Sequence, residues 1–100
     1  MTTSFEFEWD PEKALANFKK HGVTFEAAAT IFLDRFALTV YDPDYSRDED
    51  RWFTLGYDSA GQILAVAHTY RERDKAILVR IISAREATKR ERRAYEEEPR

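Results

Sequence analysis

Apolar and polar residues alternate along Phe5-Glu6-Phe7-Glu8-Trp9, the period of a short edge strand with one face turned inward. At Asp10-Pro11-Glu12 the pattern changes. Asp10 can cap a helix, Pro11 fits its first turn, and Glu12 complements the positive end of the dipole. The helix is predicted over 10–21, with bases in its last turn at Lys20 and His21 and Gly22 as its stop. Thr24 caps a second helix over 25–33, where Phe25, Ala28, Ala29, Phe32 and Leu33 form one apolar stripe.

After Asp34 the pattern changes again. Strands are predicted over 36–41, 51–57, 62–70 and 76–83, joined by an acidic loop at 42–50, a turn at 58–61 and a polar turn at 71–75. The last three, with their short connections, make an antiparallel meander. Ser83-Ala84-Arg85-Glu86 fits a capping box, which predicts a last helix from Ala84 to about Glu97, before Pro99. Its apolar face (Ala84, Ala87, Ala94, Tyr95) is thin, so weak docking is expected. The order β-α-α-β-β-β-β-α describes an α+β two-layer domain with a central antiparallel sheet. Helices 10–21 and 25–33 are expected on one face of it, packed through Leu15, Phe18, Phe25, Phe32, Ile77, Val79 and Ile81.

Composition narrows the class. One hundred residues with 43% hydrophobic and 14% aromatic positions make a single globular domain over 1–100. The absence of cysteine removes disulfides, thiolate zinc sites and cysteine nucleophiles together. Met1-Thr2-Thr3-Ser4-Phe5-Glu6 lacks the pattern of a signal peptide, and no apolar run is long enough for a membrane span. The cytoplasm is the expected location.

Charge adds a direction. The net charge is −3, but residues 1–50 hold 5 Lys/Arg against 11 Asp/Glu, and residues 51–100 hold 11 against 8. Bases gather between Arg71 and Arg93, Lys89 among them. This reads as a basic face that meets an anion, or as a solvated helix laced with pairs such as Glu86–Arg90. Alternation places Arg51 with Phe53, Leu55 and Tyr57, His68 with Leu64, Val66 and Tyr70, and Arg80 with Ala76, Leu78 and Ile82. A charge on an apolar strand face needs either a buried partner or an anion to bind.

His68 in mid-strand suits proton transfer near neutrality, or a hydrogen-bonded place in the core. His21 suits a helix C-terminus, where it can also bind the last carbonyls. Two histidines without ligand-spaced carboxylates make a poor metal site. The acidic run Asp42, Asp44, Asp48, Glu49, Asp50 lacks the glycine and terminal glutamate of a calcium loop. Three glycines form no phosphate loop or dinucleotide fingerprint, so no cofactor is expected. What is present suits metal-free RNA cleavage, in which the substrate supplies its own 2′-hydroxyl nucleophile. Arginine would neutralise the phosphorane and histidine would move protons. Tyr41, Tyr57, Tyr70 and Trp52 suit either base stacking or the core.

Phe7-Glu8-Trp9-Asp10-Pro11-Glu12-Lys13, followed by Asn17-Phe18-Lys19-Lys20-His21-Gly22-Val23-Thr24-Phe25-Glu26, resembles the opening of the BrnT toxins. Arg51-Trp52-Phe53-Thr54-Leu55-Gly56, Ala67-His68-Thr69, Arg80-Ile81-Ile82-Ser83-Ala84-Arg85 and Glu91-Arg92-Arg93-Ala94-Tyr95-Glu96 resemble later motifs of that family. The resemblance implies a RelE-like fold and an endoribonuclease toxin of a type II toxin–antitoxin pair. It also implies a BrnA-like antitoxin with a ribbon-helix-helix domain, a complex of two copies of each, and operator DNA met only through the antitoxin. By motif position the resemblance carries Lys20, His21, Arg51, His68, Arg80 and Arg85. In the roles assigned here, Arg51, Arg80 and Arg85 surround the scissile phosphate and His68 transfers protons. Lys20, His21, Tyr70 and Lys89 contact RNA. The stretch 71–79 departs from the family pattern by being slightly longer. The alternative function is a non-catalytic interaction module that acts as co-repressor with a DNA-binding partner.

Overall fold

The computed structural model describes residues 4–98; Met1-Thr2-Thr3 and Pro99, the expected helix stop, lie outside them. Along the chain come β1 (Ser4–Glu8), α1 (Pro11–His21), α2 (Phe25–Thr30), β2 (Leu38–Asp42), β3 (Arg51–Tyr57), β4 (Ile63–Arg73), β5 (Ala76–Glu86) and α3 (Lys89–Glu97). Single 3-10 turns occupy Ile31–Leu33 and Pro43–Tyr45. The first two helices start as their sequences dictate. The Asp10 carboxylate accepts from the Glu12 amide, and the Thr24 hydroxyl accepts from the Ala27 amide. Gly22 ends α1 at φ 71°, a left-handed conformation that side chains resist.

The strands form one sheet in the order β1-β5-β4-β3-β2. β2 to β5 are antiparallel neighbours, but β1 lies parallel to β5, with Ser4 opposite Ala76 and Glu8 opposite Arg80. The sheet is therefore mixed, not antiparallel as the meander suggested. The parallel pair is non-local, joined through both helices and three strands, so no turn signal in the sequence marks it.

α1 and α2 cover one face. Val23, Phe25, Ala28 and Ile31 pack on Leu64, Val66, Val79, Ile81 and Ala84, with Phe7, Trp9, Ala14, Phe32 and Ile77 around them. Leu15 and Phe18, expected in this core, are instead 58% and 49% exposed. α1 turns Ala14 and Asn17 inward. Asn17 is buried, and its amide donates to the carbonyls of Val23 (3.0 Å) and Ala84 (2.8 Å) and accepts from the Ala84 amide (3.0 Å). These bonds lie past the last β1–β5 pair, so the Asn17 side chain continues the edge where β1 stops. The opposite face carries a smaller cluster, Leu55, Ile63 and Ala65 under Ala87 and Tyr95.

The last helix begins later than predicted. Ala84, Arg85 and Glu86 pair with Val66, Ala65 and Leu64, so β5 runs through the expected Ser83 cap. Thr88-Lys89-Arg90-Glu91 carries the same cap signature and is the one used. Thr88 and Glu91 bond reciprocally at 3.1 and 2.9 Å. Between two competing cap signals, strand pairing decided. Glu86 is consequently not helical and meets Arg92 (3.7 Å), not Arg90. The β4–β5 hairpin is also longer than predicted, reaching Arg73 and Ala76, with Asp74 at φ 58° in its tip. β2 starts at Leu38, and Phe36 stands in the preceding turn, bonded through its amide to Asp34.

Asn17→Ala should destabilise the fold by about 2–4 kcal/mol, because it strands buried backbone groups at Ala84. Asn17→Asp should be no better, since it offers an acceptor to carbonyls that need a donor. Denaturant unfolding measures both, and a loss near that of an exposed alanine substitution would contradict the assignment.

Candidate functional site

Register decides which candidate residues share a face. Thr69 lies opposite Arg80, Arg71 opposite Leu78, and Glu8 opposite Arg80 from the other side. Trp52 lies opposite His68, so Arg51, one residue earlier, falls in line with Thr69. Asp42 is opposite Arg51. One row thus crosses the face that bears α3: Glu8, Arg80, Thr69, Arg51, Asp42.

His68 alternates onto the other face. It is wholly buried beneath the first two helices, with its ring 5.0 Å from Phe32 and 4.7 Å from Tyr70. Its Nε2 lies 2.6 Å from the Thr54 hydroxyl and its Nδ1 3.4 Å from the Thr69 carbonyl. With Nδ1 as the donor to that carbonyl, Nε2 accepts from Thr54. The structure does not bring His68 together with the arginines, because strand parity sets the sheet between them. Burial pushes its imidazole down to about 4, against the opposing pull of the Thr69 carbonyl.

Arg80 and Arg85 are five residues apart, which strict alternation puts on opposite faces. A bulge corrects this. Ala67 pairs with Ser83 and His68 with Ile81, leaving Ile82 without a partner. The extra residue shifts the alternation, so Arg85, opposite Ala65, joins the Arg80 face. Arg85 is not in the last helix, and its fork is occupied. It binds both carboxylate oxygens of Glu91 at 2.6 and 2.9 Å. That pairing holds Arg85 above its ordinary value and Glu91 down to about 2. Tyr95 is buried under the same helix and donates to Asp34. Arg85 is thus an anchor of α3, in place of an arginine in the helix's first turn.

Arg80 meets Glu8 at 3.2 Å on the surface. These two line a cleft of about 220 Å³ with Glu49, Thr69, Arg71 and Leu78. A neighbouring cleft of about 410 Å³ is lined by Asp44, Tyr45, Arg47, Asp48, Glu49 and Arg51. Glu49 belongs to both. Arg51 is aimed by its strand, and its amide donates to Ser46, which donates in turn to the Asp42 carbonyl. No acidic side chain lies within ion-pair distance of Arg51 or Arg71 among the described residues.

The other candidates are dispersed. Lys20 and His21 are exposed in the last turn of α1, and Lys89 is exposed at the start of α3. Tyr70 is 38% exposed on the His68 face, in a run of rings with Trp52 (5.9 Å) and Tyr41. Arg71, Thr69 and Glu8 were not singled out from sequence. The signal for Arg71 was its alternation with Thr69 away from His68. For Glu8 there was none without the parallel pairing.

The chain is an α+β domain, a mixed five-stranded sheet with two helices on one face and one on the other. The family model for "Ribonuclease toxin, BrnT, of type II toxin-antitoxin system" matches residues 9–91. The chain therefore belongs to the BrnT family of ribonuclease toxins. A solved structure of similar fold is the Brucella abortus ribonuclease toxin BrnT, at 25% identity and a TM-score of 0.58, covering 87% of this chain and 100% of that one. Among curated protein sequences nothing matches.

The depressed His68 value sets a pH dependence. Between about pH 6.5 and 4 the unfolded chain takes up a proton that the folded protein refuses. Stability should fall as pH falls through that window, by up to about 1.4 kcal/mol per pH unit, and this contribution should level off below it. His68→Gln should flatten this slope relative to wild type. Melting curves of both proteins at closely spaced pH values check it, and parallel profiles would exclude the imidazole as the cause.

Proposed function

We propose that the protein is a metal-independent endoribonuclease with a RelE-like arrangement, acting in the cytoplasm and neutralised by a BrnA-like antitoxin. The observation that carries this reading is the row of Arg51, Thr69 and Arg80, with Arg71 beside it, on one sheet face. Strand-borne guanidiniums are aimed before substrate arrives, which favours charge stabilisation at a phosphorane. Metal independence is supported by this supply of positive charge. Among the described residues no three His, Asp or Glu side chains are grouped as ligands.

In this reading Arg51 and Arg80 contact the scissile phosphate and Arg71 the neighbouring backbone. Arg85 acts through α3. His68 orders the sheet through Thr54. Lys20, His21, Tyr70 and Lys89 stand away from the row, and contact with RNA there requires a strand that wraps the domain. The antitoxin complex is proposed to hold two copies of each chain and to reach operator DNA through the antitoxin alone.

A co-repressor module without activity is the second reading. It is favoured by one observation, that Arg80 and Arg85 both already hold carboxylates. Expression without antitoxin separates the two. Growth arrest with decay of total RNA supports the ribonuclease, and growth with intact RNA supports the module.

Arg51→Ala and Arg80→Ala should each lower the cleavage rate roughly 10²–10³-fold at an unchanged melting temperature. Arg85→Ala should instead lower the melting temperature by releasing α3. Cleavage should persist in EDTA. Loss of stability in step with activity for Arg51→Ala and Arg80→Ala, or a strict need for a divalent ion, would overturn the mechanism.

A further inference from the structure

Metal-free cleavage at a 2′-hydroxyl needs a proton acceptor as well as cations. With His68 behind the sheet, that acceptor has to be sought on the arginine face. Three carboxylates belong to the row itself or to the cleft around Arg80. Asp42 is nearly buried and caps the turn that follows it, accepting from the Asp44 amide at 3.2 Å. Glu49 belongs to the irregular stretch between the 3-10 turn and β3, so no strand fixes its aim. Glu8 is the last residue of β1, paired in register with Arg80. Its Oε2 accepts from Arg80 Nη1 at 3.2 Å, and no other hydrogen bond engages its side chain among the described residues. Glu8 lines the cleft together with Thr69 and Arg71, and its side chain is 38% exposed.

The geometry points to Glu8 as the general base of the cleavage reaction, an assignment that rests on the ribonuclease reading above. The scissile phosphate sits between Arg80 and Arg51, with Arg71 on the neighbouring backbone. Glu8 takes the proton of the adjacent 2′-hydroxyl as that oxygen bonds to phosphorus. The bond from phosphorus to the 5′-oxygen breaks, and the departing oxygen takes a proton from water in the open cleft. The products are a 2′,3′-cyclic phosphate and a 5′-hydroxyl. Glu8 then returns its proton to solvent. The Arg80 guanidinium serves both partners, holding the carboxylate in place and meeting the charge that develops on the phosphorane. The parallel β1–β5 contact is then a functional feature as well as a structural one, since it sets the base beside the cation.

Glu8→Gln keeps the shape and a carbonyl for Arg80 but loses the proton acceptor. Single-turnover cleavage of a synthetic single-stranded RNA by the full chain should fall roughly 10²–10⁴-fold. Affinity for the same RNA with a 2′-deoxy nucleotide at the cleavage site should be unchanged, as should the melting temperature. A substrate whose 5′-oxygen is replaced by sulfur leaves without acid help, so it should not rescue the variant. Glu8→Asp, which retains a carboxylate, should keep more of the rate than Glu8→Gln, and this comparison decides the matter if Glu8→Gln proves unstable. A Glu8→Gln rate equal to wild type, rescue by the sulfur leaving group, or a Glu8→Asp rate no better than Glu8→Gln would overturn the assignment while leaving the ribonuclease reading intact. No cleavage of the all-ribose RNA by wild type would overturn that reading, and Glu8's role with it.

Discussion

The amide of Asn17 closes the edge of β5 where β1 stops. β5 continues well past the last residue of β1, so its outer N–H and C=O groups at Ala84 lose their neighbouring strand. A buried polar group without a partner costs far more than a made hydrogen bond returns. Asn17 satisfies both groups and ties in Val23, which starts the connection to α2. The side chain thus joins α1 to β5, 67 residues away. It fixes α1 against the far end of β5.

The length of β5 matters because of what it carries. A single unpaired residue, Ile82, shifts the alternation so that Arg80 and Arg85 share a face. Their guanidiniums then divide the labour. Arg80 stays at the open cleft with Glu8, and Arg85 grips Glu91 and holds the last helix. That helix has little apolar surface of its own. Its position rests on charge pairing at one end and on Tyr95, which packs against Tyr57 and bonds Asp34.

On the opposite face the imidazole of His68 works as structure. Thr39, Thr54 and His68 form a chain of hydroxyl and imidazole contacts of 2.8 and 2.6 Å across three strands. A fully buried ring is neutral at physiological pH and fixes the tautomer its partners need. The neighbouring rings of Phe32 and Tyr70 close over it.

How much of this was legible in sequence depends on the range of the interaction. Local signals named the α+β class, the start of α1 and α2, the β3-to-β5 meander and the family motifs, because caps, turns and alternation act between residues close in the chain. The arginines at 51 and 80 were visible for the same reason, as charges on apolar strand faces. What sequence left open were the non-local choices. It could not show that β1 pairs parallel with β5, which sets Glu8 beside Arg80. Two equivalent cap signals, at Ser83 and Thr88, differ only in whether β4 claims the residues between them. The exposed side chains of Leu15 and Phe18 look like core until Asn17 turns the helix. The bulge at Ile82 has no mark in the residue pattern, yet it decides which charges share a face. Sequence by itself determined which chemical groups this protein has, since composition and local periodicity are properties of the chain. Tertiary structure decided which of them meet, because strand register flips every side chain with a shift of one residue, and only packing fixes that register.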